Sequence, residues 1–302
     1  MPRRHVLLAT AVAIGWGANF VAIDVGLRSL PPFLFVAVRF ALVAFPAVFF
    51  LPRPPIALRY VLGVGLLLSA GQFALLFTSI HLGMPAGLAS LVLQLQAVFT
   101  VGLAVALLGE RPGRRQLVGA AVALGGIAII GIGRTGPHLP LGALLLCVAA
   151  AASWGAGNVV VRVARAPNSM ALMAWSSLVP PLPLLAMSLA FEGPRRIVDA
   201  LGSVSLEGVA AVLYVVVIAT GFGYSSWSWL LRLHPASKVA PFSLLVPVIG
   251  IGSAWAALGE QPGVVEIVGA TVVLCGLGLV TASLRVPARR ARAAPVPAPA
   301  EL

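Results

Sequence analysis

Long apolar segments alternate along the chain with short polar or proline-rich segments. A helix needs about 20 residues, at ~1.5 Å each, to cross the hydrocarbon of a bilayer. Ten segments reach that length, near residues 6–26, 33–51, 60–80, 85–108, 115–133, 141–161, 169–191, 208–231, 236–258 and 264–284. Turn-forming runs such as LPRPP, GERPG and GEQPG separate them. The pattern predicts an all-α integral membrane protein with ten transmembrane helices.

The composition supports a bilayer as the solvent. The chain of 302 residues is 60% hydrophobic and 9% charged, with a mean hydropathy of +1.05. Soluble domains carry about 25% charged residues, so this chain has too few charges to cover a water-exposed surface. The net charge of +12 does not indicate a nucleic-acid partner, because the basic residues lie in short clusters between apolar runs. Membrane lipids are the expected surroundings.

The basic residues are divided unequally between the two sides of the predicted helices. With the N-terminus in the cytoplasm, the cytoplasmic side holds 15 of the 20 lysines and arginines: Arg3, Arg4, Arg53, Arg59, Arg111, Arg114, Arg115, Arg162, Arg165, Arg232, Lys238, Arg285, Arg289, Arg290 and Arg292. The opposite side holds Arg28, Arg134, Arg195 and Arg196, and Arg39 lies within a helix. Cytoplasmic loops are enriched in Lys and Arg, so we expect both termini in the cytoplasm.

Two parts of the chain repeat each other. Residues 85–120 align with 235–270 at a constant offset of 150, with 15 of 36 positions identical, including the GE-x-PG block. An earlier pair, WGAN at 16–19 and WGAGN at 154–158, extends the repeat. Five predicted helices per unit is an odd number, so the two units have opposite orientations. Such inverted repeats are typical of secondary transporters, whose substrate site lies near the midplane between the halves.

The repeat defines the expected domain organisation. Residues 1–138 form the first five-helix unit and residues 139–284 the second, inverted unit. The remaining residues, 285–302, are basic and then rich in Pro and Ala. Such a composition is typical of a disordered tail, and its arginines are expected to contact anionic lipid.

Several motifs resemble the EamA-type branch of the drug/metabolite transporter superfamily. They are WGANFVAIDVGL, RFALVAFPAVFF, GMPAGLASLVLQLQAVFT, SWGAGN and KVAPFSLLVPVIG, which together reach across most of the chain. The third is most similar to the bacterial O-acetylserine/cysteine exporter group. The resemblance implies export of small amino-acid metabolites across the bacterial inner membrane, with helices one to four and six to nine lining the cavity. Asp24 departs from the family, whose members often have a basic residue there.

A tryptophan and an asparagine recur one helical turn apart in both units. Trp16 and Asn19 share one helix face, and so do Trp154 and Asn158. An Asn offers a hydrogen-bond donor and an acceptor to a zwitterion, and a Trp face suits an ammonium group. We expect these four side chains to bind substrate; the alternative is that they only join neighbouring helices.

Arg39 is the cation predicted to lie within the bilayer. Its guanidinium can bind a substrate carboxylate through two hydrogen bonds. The alternative is a structural role, in which Arg39 extends toward the interface or pairs with Asp24. Asp24 also has Arg28 four residues away as a possible partner.

Further polar and aromatic residues complete the predicted substrate site. Polar side chains inside a membrane usually face protein or a water-filled cavity. The additional candidates are Gln72, Gln94, Gln96, Tyr224, Trp227 and Ser228. Gln94 and Gln96 are two residues apart and cannot share a helix face, so one of them is expected to contact a neighbouring helix instead.

The fourth and ninth helices carry prolines that can loosen them. We expect Pro85, Pro235, Pro241 and Pro247 to permit gating motions. In the repeated block, Gly109 and Gly259 are expected to end a helix. Glu110 and Glu260 precede the next helix, and a carboxylate there is expected to act as a structural cap.

The sequence contains no pattern that predicts catalysis or a cofactor. We identify no nucleophile with a base beside it, no metal-ligand spacing and no carboxylate at the predicted midplane. An enzyme or a scaffold is therefore less favoured than a transporter for a small-molecule substrate. The leading hypothesis is an exporter of cysteine-like or O-acetylserine-like metabolites, and the alternative is a broader amino-acid or drug permease. The oligomeric state is left open.

Overall fold

The computed structural model describes residues 1–133, 140–234 and 236–282, and these ranges are helical, with no strand among them. The principal helices are α1 Arg3–Leu27, α2 Pro32–Phe50, α3 Leu58–His81, α4 Ala86–Leu108, α5 Arg114–Gly133, α6 Leu141–Ala164, α7 Ser169–Glu192, α8 Leu206–Leu233, α9 Pro241–Leu258 and α10 Val264–Ala282. The connection from α7 to α8 contains a short helix, Pro194–Gly202. The predicted tail at 285–302 lies outside the described residues.

Nine helices in the described ranges are long and apolar enough to cross a membrane, namely α1 to α9. The apolar part of α10, Val264–Val280, is shorter. Large apolar side chains such as Phe50 and Leu182 are exposed on the outside of the bundle. In water such a surface would be unfavourable, and in lipid it is the expected one. The protein is therefore a multi-pass membrane protein.

The repeated GE-x-PG block has the same local structure in both copies. Gly109 and Gly259 have φ angles of 66° and 72° and end α4 and α9, which confirms the predicted helix ends. The next amide in each copy, that of Glu110 or Glu260, donates back to a carbonyl six residues earlier, at 3.3 and 3.4 Å. The amides of Gly109 and Gly259 also donate to the carbonyls of Val105 and Trp255, four residues earlier, at 3.2 Å in both copies. This is the αL C-cap, which needs a left-handed residue and so favours glycine.

The capping side chains of the next helices are not the predicted ones. The amide of Gly113, before α5, donates to Gln116 Oε1 at 3.2 Å. The amide of Gly263, before α10, donates to Glu266 Oε2 at 2.7 Å. These side chains lie inside the first turn and reach back, as in the second half of a capping box. The prediction that Glu110 and Glu260 cap these helices is therefore wrong.

Glu260 caps a helix in the other half of the chain instead. Its two carboxylate oxygens accept hydrogen bonds from the amides of Ala86 and Gly87, at 2.7 and 3.0 Å, at the start of α4. A carboxylate there satisfies free amides and lies at the positive end of the helix dipole. Glu110 contacts a different group, the Arg162 guanidinium at the end of α6, at 2.7 Å. Two equivalent sequence positions thus have different partners.

Replacing Glu260 by glutamine is expected to destabilise the protein by about 1–2 kcal/mol, because the charge at the start of α4 is lost and one acceptor becomes a donor. Glu110→Gln is the matched control. Its ion pair with Arg162 is largely exposed, with side-chain exposures of 40% and 57%, and such pairs contribute about 0–1 kcal/mol. Thermal unfolding of the two purified variants tests this, and an equal loss in both would contradict the cross-half cap.

Helices α5 and α10 cross with their backbones in close approach. A Cβ added to Gly126 would lie 2.8 Å from the carbonyl oxygen of Gly269, and one added to Gly119 would lie 2.6 Å from that of Gly276. Small residues permit such contacts between membrane helices. In the repeat, Gly119 is equivalent to Gly269 and Gly126 to Gly276. The Gly119–Gly276 contact is therefore the symmetry equivalent of the Gly126–Gly269 contact.

Helices α3 and α8 each contain a π-helical segment, Gly65–Gly71 and Tyr214–Phe222. Carbonyls in both segments accept side-chain hydrogen bonds from another helix. Ser153 Oγ in α6 donates to the Leu67 carbonyl at 2.7 Å, and the indole N–H of Trp16 in α1 donates to the Ala219 carbonyl at 2.8 Å. Wide turns of this kind occur frequently at functional sites. Both segments line the cavity described next.

Candidate functional site

A cavity of about 380 Å³ lies in the bundle, and its described lining residues come from α1 to α4 and α6 to α9, with Ser243 in the turn that begins α9. Each residue predicted to bind substrate lines it: Trp16, Asn19, Arg39, Gln72, Gln94, Gln96, Trp154, Asn158, Tyr224, Trp227 and Ser228. Their binding role stays a prediction. The structure adds that these side chains, from helices far apart in the sequence, line the same cavity.

One wall of the cavity is aromatic. The Trp16 ring lies 5.6 Å from the Tyr224 ring and 5.2 Å from the Trp227 ring, measured between centroids. The hydrogen bond from the Trp16 indole to Ala219 holds the ring in place. Three electron-rich faces in one wall are suited to contact an ammonium group.

The wall formed by α4 and α6 is rich in amides. Asn158 Nδ2 donates to Gln96 Oε1 at 2.8 Å and to Thr100 Oγ1 at 3.2 Å. Gln94 Nε2 donates to the Ser243 carbonyl at 3.1 Å. Gln94 and Gln96 thus both contact another helix and both line the cavity, so the expected division of roles between them is wrong. The tighter winding of the 3₁₀ turn Leu93–Leu95 explains this, because at about 120° per residue it brings side chains two positions apart nearer to one face.

Asn19 has an unused acceptor. The residue is buried, and its Oδ1 atom has no hydrogen-bond partner among the described residues. A buried acceptor without a partner costs roughly 1–3 kcal/mol. A substrate N–H in the cavity would offset that cost.

Arg39 lies at the cavity wall with most of its hydrogen-bonding capacity unused. The residue is 2% exposed, its Nη2 donates to Thr220 Oγ1 at 3.1 Å, and its guanidinium carbon lies 3.7 Å from the centroid of the Phe73 ring. Within the described part of the chain, Nε and Nη1 have no partner. A buried cation without a counter-charge is costly, and an anionic group of a substrate would reduce that cost.

Neither of the two structural placements expected for Arg39, at the interface or paired with Asp24, is found, and its substrate-binding role stays a prediction. Arg39 does not extend to the interface, because it is buried. Asp24 pairs with Arg28 at 2.8 Å instead, which confirms the predicted contact four residues apart. The side chains that hold Arg39, Thr220 and Phe73, were missed by the sequence analysis. A threonine and a phenylalanine in apolar helices gave no signal, because only the fold brings them next to the arginine.

The predicted gating prolines lie at breaks in the helices. Pro85 immediately precedes α4, Pro241 lies in the 3₁₀ turn Ala240–Leu244, and Pro247 lies in the first turn of the α-helix Leu245–Leu258. Pro235 lies outside the described residues. The 3₁₀ turns in α4 and at the start of α9 occupy equivalent positions in the repeat. The gating role stays a prediction.

Two histidines meet at the ends of α1 and α8. His5 Nδ1 lies 2.6 Å from His234 Nε2, and the edge of the Trp229 ring packs against His5 with centroids 5.0 Å apart. Burial and the nearby His5, amino terminus of Met1 and Lys238 hold the pKa of His234 below its usual value of 6.5.

Acidification is expected to destabilise the protein through His234. Because its folded-state pKa is lowered, the unfolded chain binds more protons below pH 6.5. Stability is therefore full above that pH and falls as the pH drops toward the lowered pKa. His234→Gln should flatten the fall in melting temperature between pH 7.5 and pH 5, whereas His81→Gln, at an exposed histidine, should keep the wild-type profile. A wild-type melting temperature that rises on acidification would contradict this.

A search of the described residues finds no group of three or more His, Cys, Asp or Glu side chains that could hold a metal ion.

An apolar bundle of membrane helices around a polar, aromatic-walled cavity defines a multi-pass transporter for a small molecule. The sequence matches the EamA-like transporter family over residues 3–132 and 141–282. The chain belongs to this family, which confirms the resemblance drawn from its motifs.

The names of the relatives indicate a transporter, not an enzyme. A protein of Salmonella typhimurium strain LT2 named probable amino-acid metabolite efflux pump is 44% identical over 92% of this chain and 94% of its own. A protein of the same name in Escherichia coli strain K12 is 40% identical over 94% and 97%. A probable terminal-alkyne amino-acid exporter of Streptantibioticus cattleyicolor is 30% identical over 88% and 90%. A solved crystal structure with 20% identity covers 94% and 98%, with a TM-score of 0.62, and shares the fold.

Proposed function

We propose that the protein exports small amino-acid metabolites, such as cysteine or O-acetylserine, across the bacterial inner membrane by alternating access. The observation that carries the proposal is Arg39, a buried guanidinium at the cavity wall with two nitrogens unpaired among the described residues. A carboxylate is the substrate group that pairs with a guanidinium. The relatives named as amino-acid metabolite efflux pumps support the same substrate class.

The cavity has a complementary group for each part of an amino acid. The substrate carboxylate binds Arg39, and the ammonium group lies against the ring faces of Trp16, Tyr224 and Trp227. The free Oδ1 of Asn19 accepts a hydrogen bond from the ammonium group. This arrangement offers a charge partner to the carboxylate and aromatic faces with an amide oxygen to the ammonium group, which a bare apolar pocket would not do.

Ten transmembrane helices in a 5+5 inverted repeat explain the symmetry of the contacts. The Gly119–Gly276 and Gly126–Gly269 contacts are what a two-fold axis between α5 and α10 produces. The family match in two ranges, one per half, supports the same organisation. Reporter fusions after residues 113 and 263 should lie on opposite sides of the membrane; the same side for both would contradict the inverted repeat.

The cavity reaches the surface on one side of the bundle. Ser169, at the start of α7, is exposed and lines the cavity. At the opposite end of the bundle, two carboxylates cap helices that are far from them in the sequence. Glu260 caps the start of α4. Glu192 caps the start of α2, where it accepts from the amides of Phe33 and Leu34 at 2.7 and 3.2 Å. Ser169 lies on the side of the bundle that is predicted to face the cytoplasm, where both termini are also predicted to lie. An opening on this side is where an exporter would take up its substrate.

An efflux assay tests the function. Cells that express the protein are loaded with cysteine, O-acetylserine or an aromatic amino acid, and the release of each into the medium is measured beside cells with an empty vector. We expect faster release of at least one of them. If aromatic amino acids are released as fast as cysteine, the broader permease is the better description, and no change for any of them would overturn the proposal.

A further inference from the structure

A second, larger cavity of about 550 Å³ lies beside the first, between α2, α3, α7 and α8. We call it the lateral groove. The two cavities share a wall, formed by Arg39, Leu68, Phe73, Met173, Tyr224 and Ser228. The lateral groove and the central cavity therefore adjoin each other at Arg39.

The rest of the lateral groove is mainly apolar and faces outward. Its lining includes Val43, Pro46 and Val216. At its outer edge are Leu42, which is 45% exposed, and Phe50, which is 85% exposed. Because the outside of the bundle is apolar, this edge faces the lipid.

Arg39 gives the groove a charged inner end. Its Nε and Nη1 atoms are buried and, among the described residues, unpaired. A lipid acyl chain in the groove would leave both donors unsatisfied, because it has no acceptor. An occupant that satisfies them carries an anionic group at one end and an apolar group at the other.

We propose that the lateral groove takes the apolar side chain of an amino-acid metabolite whose carboxylate binds Arg39. This rests on the proposed function and extends its substrate class to amino acids with long apolar side chains. A cysteine-sized molecule leaves the groove unfilled. Each further buried methylene strengthens binding about fourfold, the equivalent of about 0.8 kcal/mol.

The experiment is a chain-length series measured on the full protein in lipid nanodiscs. Binding of alanine, 2-aminopentanoate, 2-aminohexanoate and 2-aminooctanoate is determined by calorimetry, with protein-free nanodiscs to subtract partition into lipid. We expect the dissociation constant to fall about fourfold per methylene until the groove is filled. Release of the same compounds from expressing cells is measured in parallel.

A groove-filling variant makes the test specific. Gly221 lines the lateral groove but not the central cavity, and a Cβ there would lie 3.5 Å from its nearest neighbour, the Val216 carbonyl oxygen, an ordinary van der Waals contact. Gly221→Leu should flatten the chain-length dependence and leave alanine binding unchanged. Gly252→Leu is the control, because Gly252 is exposed, lines neither cavity and has no described atom within 4 Å of an added Cβ.

The outcomes separate this inference from the proposed function. If short amino acids are exported but affinity does not rise with chain length, or rises equally in Gly221→Leu, the inference is overturned and the exporter stands. If no amino acid is bound or released, the proposed function itself fails.

Discussion

Replacing Arg39 by alanine or lysine is expected to reduce amino-acid export by at least about 100-fold. Two charge-assisted hydrogen bonds to a carboxylate contribute about 1.5–3 kcal/mol each, and alanine removes both. Lysine restores the charge but not the planar fork, nor the stacking on Phe73 at 3.7 Å. Export from expressing cells is measured against the amount of variant protein in the membrane.

A structural role for Arg39 would give a different result. Arg28→Ala is the control for loss of a positive charge, because Arg28 is exposed and its partner is Asp24. Binding of an amino acid is also compared with binding of its carboxamide. Wild type should prefer the carboxylate and Arg39→Ala should not. An Arg39→Ala protein that still prefers the carboxylate would show that another group binds it.

Gly126→Val is expected to destabilise the fold by about 2–4 kcal/mol. Its Cβ would lie 2.8 Å from both the Gly269 carbonyl oxygen and the Val273 amide nitrogen, so α5 and α10 must separate. The loss should appear as a lower melting temperature and less folded protein in the membrane. Because these are backbone atoms, no change of rotamer relieves the contact.

The neighbouring glycine provides the control. A Cβ on Gly125 would meet no described atom within 4 Å, so Gly125→Val should change stability by no more than about 0.5 kcal/mol. The two variants differ by one position and carry the same side chain. Equal stability would mean that the close approach of α5 and α10 is not needed.

The helices and the polar residues that line the cavity could be predicted from sequence, because each prediction follows from a simple rule. Apolar runs of membrane length mark helices. Polar side chains such as Asn19 and Gln72 inside those runs must face protein or a cavity, and both line the cavity. These rules use only the local sequence and the fact that the helices are surrounded by lipid.

Partners across the bundle could not be predicted. Glu260 binds amides 174 positions away in the chain, and nothing near Glu260 in the sequence indicates them. Glu110 lies in the same Gly-Glu-x-Pro-Gly block but contacts Arg162. The repeat therefore predicts the backbone of both copies but not their side-chain contacts, since the surroundings of the two copies differ.

The π-helical segments of α3 and α8 have a consequence for how such a cavity can change. A π turn holds one more residue than an α-helix of the same height. Deleting one residue from Gly65–Gly71 would therefore restore an ordinary helix and leave the flanking turns in register, with Gln72 still facing the same neighbours. What would change is the wide turn itself, where Ser153 contacts the Leu67 carbonyl. A one-residue deletion in the middle of this membrane helix can therefore alter the backbone at the cavity wall without changing which side chains face the cavity.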